Sequence, residues 1–123
     1  MRQSAFALLF LSFVSGSLAL VARGQSAGCT CGSAKYSASD VTNAINQAEG
    51  SGGGKYPHQY HDYEKFSFPS CQGNFYEYPL EEGKVYTGGS PGADRVIYDE
   101  KHNFCACLTH HGSSQRDGFV ECK

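Results

Sequence analysis

Tryptophan is missing from the sequence, methionine occurs once, and charged residues make up only 18% of the 123 positions. Neither sign of charge dominates: the formal net charge is −2, so no broad basic patch is present to hold nucleic acid by electrostatics alone. No apolar run reaches the roughly 20 residues that a membrane-spanning helix needs. There is no internal repeat, no linker and no low-complexity tail, so more than one domain is excluded. What the chain does have is 13% aromatic residues, all Tyr or Phe, together with six Cys and fifteen Gly. That aromatic content is too high for a disordered chain and points to one small globular domain.

Residues 1–22 read as a secretory signal. Arg2 supplies the positive start, Ala5 to Val14 the apolar stretch, and Ser15, Gly16, Ser17 and Ala19 the small residues before a cleavage site. Cleavage after Ala19 or Ala22 leaves a domain of residues 23–123, exported and with no membrane attachment. All six cysteines (Cys29, Cys31, Cys71, Cys105, Cys107 and Cys122) fall in that domain. An even count in a small exported chain implies up to three disulfides, with fifteen possible pairings. The two Cys-x-Cys pairs are spaced more tightly than zinc sites usually are, and export oxidises thiols, so no metal is expected.

One helix is clear. Val41, Ala44, Ile45 and Ala48 follow the i, i+3, i+4, i+7 spacing of a buried face. Ser37 to Asp40 forms a capping-box pattern, and Gly50 with the glycines after Ser51 ends the helix. The remainder reads as five short strands cut by turns: 56–60, 75–79, 95–98, 104–109 and 119–122. Strands with no helices between them predict an antiparallel sheet. The expected fold is α+β: one α-helix packed on a twisted antiparallel β-sheet, stapled by disulfides.

Four polar residues interrupt these strands: His58, Glu77, Arg95 and His110. Strand parity puts Tyr56, His58 and Tyr60 on one face, Glu77 with Phe75 and Pro79, and His110 with Leu108 and Ala106. If the faces coincide, a carboxylate base, an imidazolium acid and a cation converge, a set suited to attack at phosphorus. If they do not, the four are simply exposed at strand ends. His58 and His61 do not form a metal pair, because residues i and i+3 of a strand face opposite ways.

Tyr56-Pro57-His58-Gln59-Tyr60, Tyr63-Glu64, Tyr76-Glu77-Tyr78-Pro79, the nonapeptide Gly88 to Val96, Thr109-His110-His111-Gly112 and Phe119 to Cys122 occur in this order. Together they resemble the motifs of the secreted fungal guanyl-specific ribonucleases, the ribonuclease T-one-like group, from Cys31 to Cys122. The resemblance implies an endoribonuclease that cuts single-stranded RNA after guanosine and needs no cofactor. It makes Glu77 the general base toward the ribose 2′-hydroxyl and His110 the general acid toward the leaving 5′-oxygen. His58 would assist Glu77, Tyr56 and Arg95 would bind phosphate oxygens, and Phe119 would form an apolar wall. The same resemblance places the base among Tyr60, His61, Asp62, Tyr63, Glu64 and Asp117, with Glu64 accepting from guanine N1–H and the exocyclic amine. DNA lacks the 2′-hydroxyl and is excluded as a substrate. A monomer is implied. The alternatives are a non-catalytic exported relative that binds host RNA or protein, and a ribosome-targeting toxin; the intact polar set and short, slightly acidic chain favour the enzyme.

By the same resemblance Cys31 pairs with Cys122. Cys71 pairs with Cys105 by analogy to a branch of the group that also accepts adenine, leaving Cys29 and Cys107. Some positions depart from the group. His61 and Asp62 replace two Asn, Lys65 replaces a Gly, and His111 replaces a Thr. The loop Ser113 to Gly118 is about one residue longer, with Arg116-Asp117 in place of Asn-type residues. Lys65 would be strained if its backbone requires a positive φ.

Overall fold

A computed structural model describes residues 27–123 of the chain. The expected signal segment, residues 1–22, lies outside the described residues. Eight strands and one helix follow in order: β1 (Cys29–Cys31), β2 (Ala34–Tyr36), α1 (Ala38–Glu49), β3 (His58–Tyr60), β4 (Phe75–Glu81), β5 (Lys84–Val85), β6 (Asp94–Asp99), β7 (Phe104–Thr109) and β8 (Val120–Glu121). The helix forms where its signals lie. Ser37 Oγ accepts from the Asp40 amide at 3.0 Å, and the Asp40 carboxylate accepts from the Ser37 amide at 3.0 Å. Val41, Ala44, Ile45 and Ala48 are its buried residues, and Gly50 closes it by donating to the carbonyls of Asn46 and Gln47. Burying side chains such as Val41 and Ile45 stabilises the fold by roughly 1.5–3 kcal/mol each.

The main sheet runs β3-β4-β6-β7-β8, with β5 on the end of β4 and every pair antiparallel. All six residues of β6 are buried, as befits a central strand covered on both faces. On one face Tyr78, Val96, Tyr98 and Cys107 pack with Val41, Ala44 and Ile45 of α1. On the other, Ile97, Ala106 and Leu108 pack with Tyr60, Phe68 and Phe119. This second, smaller cluster is the floor on which the polar residues stand.

Three differences from the sequence reading stand out. The hairpin β1–β2 and the short β5 were not anticipated, since neither shows a clean alternation of apolar and polar residues. Tyr56 and Pro57 lie before β3 rather than in it: Tyr56 forms an isolated bridge with Gly53, and Pro57 has no N–H to give a ladder. The parity argument therefore does not apply to Tyr56, which nevertheless stacks on His58 at 4.5 Å. The last strand is shorter than expected, Val120–Glu121 rather than 119–122.

Disulfides join Cys31 to Cys122, Cys29 to Cys107 and Cys71 to Cys105. The first two strap the β1–β2 hairpin across β7 and the C-terminal end, where Thr30 and Lys123 also exchange backbone hydrogen bonds of 2.8 and 2.9 Å. Their sequence separations are 91 and 78 residues. Closing a loop of that size removes about 4–5 kcal/mol of unfolded-state freedom. The third bond ties the segment before β4 to β7. Asp99 reinforces the same corner, accepting from the amides of Lys101, Asn103 and Gln72 at 2.9, 2.9 and 3.2 Å. Burial pushes its carboxyl up, but these donors outweigh it and hold the group below its ordinary value.

Candidate active site

Strand register decides which polar residues meet. His58 pairs directly with Glu77 across β3–β4, and Glu77 with Ile97 across β4–β6. Pro79 pairs with Arg95, and Arg95 with Leu108. Directly opposed residues of an antiparallel pair share a face, so Glu77, His58 and Arg95 stand together on the Ile97–Leu108 floor. His110 follows the end of β7, and its amide is pinned to the Ala93 carbonyl at 3.0 Å. Glu77 thus lies beside His58 and Arg95, and His110 is near enough to act on its charge.

Glu77 is 7% exposed and Arg95 3%. Arg95 Nε donates to Glu77 Oε1 at 3.3 Å, and His58 Nδ1 lies 3.7 Å from Glu77 Oε2. Burial raises the Glu77 carboxyl above its ordinary 4.5, although His58, Arg95 and His110 each draw it down. The result is a carboxylate that is a stronger base than an exposed one while its charge remains supported. Arg95 Nη1 donates to the carbonyls of Gly92 and Asp94 at 2.9 and 3.0 Å, and Nη2 donates to the Tyr56 hydroxyl at 3.0 Å. A guanidinium has five N–H donors. One on Nη2 is left over, beside Tyr56, for an anionic oxygen.

His110 Nδ1 is 2.7 Å from the Gly118 carbonyl. A carbonyl only accepts, so Nδ1 carries a proton and Nε2 is the nitrogen left to exchange one. The imidazole stacks on Phe119 with ring centres 4.0 Å apart, and Phe119 meets Tyr60 edge-on at 5.7 Å. The ring is thus fixed in both orientation and tautomer.

A groove of about 420 Å³ connects His58 and Glu77, past Tyr60 and Phe119, to Tyr63, Glu64 and Asp117. Its far end is the loop after β3. Asp62 and Lys65 have φ of 51° and 63°, both in the left-handed region. The strain foreseen for Lys65 is therefore present. Asp62 compensates in part: its Oδ1 accepts from the Phe66 amide at 2.8 Å, and its carbonyl accepts from the Lys65 amide at 3.0 Å. The Tyr60 hydroxyl lies 3.3 Å from both Asp62 Oδ1 and Glu64 Oε1. Burial and those two carboxylates push its pKa far up, so Tyr60 stays a donor. Glu64 Oε2 accepts from the Phe119 amide at 2.9 Å. Tyr60 is buried, whereas Tyr63 is 82% exposed and stacks on His61 with ring centres 5.6 Å apart. The two tyrosines placed around the base by resemblance are thus unlike: one is a fixed wall, the other stands in solvent at the rim.

Gly118 is the residue that sequence reasoning passed over. In the sequence it is only the end of a loop, yet its carbonyl holds His110. Its signal is a glycine directly before the Phe-Val-Glu-Cys run, where the side chains of Ser113, Gln115 and Glu64 close in on the position a Cβ would take.

Residues 24–123 match the model of a family described as ribonuclease. Guanyl-specific ribonuclease C2 of Aspergillus clavatus is 46% identical over 101 residues, covering 76% of this chain and 75% of its own. Guanyl-specific ribonuclease F1 of Fusarium fujikuroi is 39% identical over 129 residues, covering 94% and 97%. Among solved structures, ribonuclease He1 from Hericium erinaceus matches with a TM-score of 0.66 and 64% identity, over 78% of this chain and 98% of that one.

Proposed function

Because the chain belongs to the ribonuclease family, we propose that it is a guanyl-specific endoribonuclease whose protons are carried by Glu77 and His110. It cuts single-stranded RNA on the 3′ side of guanosine. Glu77 takes the proton of the ribose 2′-hydroxyl, the 2′-oxygen attacks phosphorus, and His110 Nε2 protonates the departing 5′-oxygen. The product is a 2′,3′-cyclic phosphate. In the slower second step water attacks, with His110 as base and Glu77 as acid. Arg95 and the Tyr56 hydroxyl face the phosphoryl oxygens, and protonated His58 stabilises the Glu77 carboxylate. Proton transfer and charge neutralisation are thus both supplied by side chains, with no call for a cofactor. The nucleophile is internal to ribose, so DNA is inert.

The single observation that carries this reading is the buried Glu77, flanked by Arg95 and His58, at one end of a groove whose other end holds Glu64. Glu64 can only accept, so it favours a base edge with two donors, as guanine has and adenine lacks. His61, Tyr63 and Asp117 also line the groove, and the Asp62 and Tyr63 amides are the backbone donors toward the base. The domain acts as an exported monomer freed from residues 1–22, without membrane attachment; its three disulfides suit an oxidising compartment. Among the described residues no helix is long and apolar enough to cross a membrane.

Dinucleotide substrates with each of the four bases on the 5′ side, assayed in EDTA, test the proposal. The expected order is guanosine, then minor cleavage after adenosine, then essentially none after pyrimidines. Equal rates for guanosine and uridine would mean that the loop is not a purine pocket, and no cleavage at all would favour a non-catalytic binder.

A further inference from the structure

His110 and Glu64 have different tasks, proton transfer and base recognition, yet both are bonded to one peptide unit. The Gly118 carbonyl accepts from His110 Nδ1 at 2.7 Å. The Phe119 N–H, the other half of the same planar group, donates to Glu64 Oε2 at 2.9 Å. A peptide is conjugated, so drawing its N–H toward a carboxylate enriches its oxygen and makes that oxygen a better acceptor. We propose that the Gly118–Phe119 peptide is a relay that couples recognition of the base by Glu64 to the acid strength of His110. The inference rests on the roles given to those two residues under Proposed function.

The surroundings hold this peptide in one orientation. The Gly118 amide donates to the Gln115 carbonyl at 3.1 Å, and the Phe119 ring is stacked on His110 and edge-on to Tyr60. A Cβ on Gly118 would lie 2.5 Å from Ser113 Oγ, 2.9 Å from Gln115 Cβ and 3.2 Å from Glu64 Oε2. Glycine is required here by close approach, and what approaches includes the base-recognising carboxylate itself. Gly118 is accordingly a positioning residue for both side chains.

The sign of the coupling follows from the charges. With no base bound, Glu64 pulls on the Phe119 N–H, the Gly118 oxygen accepts strongly, and the His110 imidazolium is stabilised. When guanine presents N1–H and its exocyclic amine, the carboxylate is shared and its pull on the peptide relaxes. His110 then releases its Nε2 proton more readily, at the stage when the 5′-oxygen needs it. Adenine offers an acceptor at N1 and does not relax the pull. Base preference therefore acts on turnover as well as on binding.

Nuclear magnetic resonance of the labelled domain tests this without relying on cleavage. The probe is guanosine, which carries the base but no phosphate, so phosphate charge does not obscure the response. Guanosine should move the Phe119 amide proton and lower the His110 titration midpoint by roughly 0.2–0.5 pH unit, the scale of a ~10–30% change in one charge-assisted hydrogen bond. Glu64→Gln in the unliganded protein should move both signals the same way. Asp117→Asn removes an equal charge from the same groove but not from the peptide, and should move neither by a comparable amount. Gly118→Ala should abolish the response of His110 to Glu64→Gln; if it does not fold, the other arms still decide. Unmoved signals in Glu64→Gln, or equal shifts in Asp117→Asn, would overturn the relay. If guanosine-specific cleavage persists in that case, only the relay fails. If no dinucleotide is cut, the ribonuclease reading fails.

Discussion

At the proposed catalytic end of the groove, Glu77, Arg95 and His58 project from paired strands, and the register of β3, β4 and β6 sets their spacing. At the base end, residues from Tyr60 to Phe66 follow a loop in which two non-glycine residues, Asp62 and Lys65, hold left-handed backbone. One end is positioned by a ladder in which each hydrogen bond supports the next. The other is held by a few side-chain bonds that offset local strain. The strand-borne polar set is therefore the rigid part of this groove and the loop the tunable part.

The largest effect that would break this comparison is on the acid. His110→Ala should lower turnover by about 10²–10⁴-fold on every dinucleotide, while Glu77→Ala loses less because His58 partly replaces the carboxylate. Near-normal turnover in His110→Ala, measured with saturating guanosine dinucleotides, would remove the assigned acid.

Next in size is a change made at the recognition end. Glu64→Ala should reduce kcat/KM for guanosine by about 10–10²-fold, as expected for a lost charged hydrogen bond of roughly 1.5–3 kcal/mol. Its rate on adenosine should change much less, so the ratio between the two bases is the measurement. A uniform loss across all four bases would show that Glu64 does not recognise the base.

A third expectation concerns pH. Burial raises the Glu77 carboxyl above 4.5 in the folded protein. The folded state then binds that proton more tightly than the unfolded state does. The associated stability is fully present below the ordinary carboxylate value and is lost as pH rises through the raised one. Glu77→Gln cannot ionise and escapes this loss. Denaturant melts from acid to neutral pH should show the variant gaining on the parent protein as pH rises. A variant that is less stable at neutral pH, by a margin growing with pH, would mean that Arg95 and His58 outweigh the burial of Glu77.

The smallest effect lies in the loop. Lys65→Gly removes a left-handed strain of about 1–2 kcal/mol but adds freedom to the unfolded chain, for a net gain of roughly 0.5–1 kcal/mol. A modest rise in Tm with unchanged turnover would sharpen the contrast between strained loop and rigid strands. A lower Tm would show that the Lys65 side chain contributes contacts that its backbone does not reveal.

The helix could be located from the sequence nearly to the residue, because every signal that defines it acts within four positions: Ser37 on Asp40, Val41 on Ala44 and Ile45, and the Gly50 amide on the Asn46 and Gln47 carbonyls. The three long strands were legible for a similar reason, being continuous β-branched, aromatic and Cys-rich stretches bounded by turn residues. The resemblance of ordered motifs added candidate roles that no local pattern could assign. The hairpin Cys29–Tyr36 left no such trace. Its two strands of three residues are held by disulfides and by the C-terminus rather than by their own side-chain alternation.

Tertiary structure alone decided that Glu77, His58 and Arg95 share a face, since a one-residue slip in either register would have turned them apart. It also decided that Cys29 reaches Cys107, across 78 residues of chain, and that Gly118 sits under Glu64 while holding His110. The division has one physical cause. Capping, turns and helical periodicity depend on neighbours a few bonds away, and a sequence displays its neighbours. Strand register, disulfide partners and a peptide shared by two distant side chains depend on which loops close over which, and that is settled only when the whole domain packs.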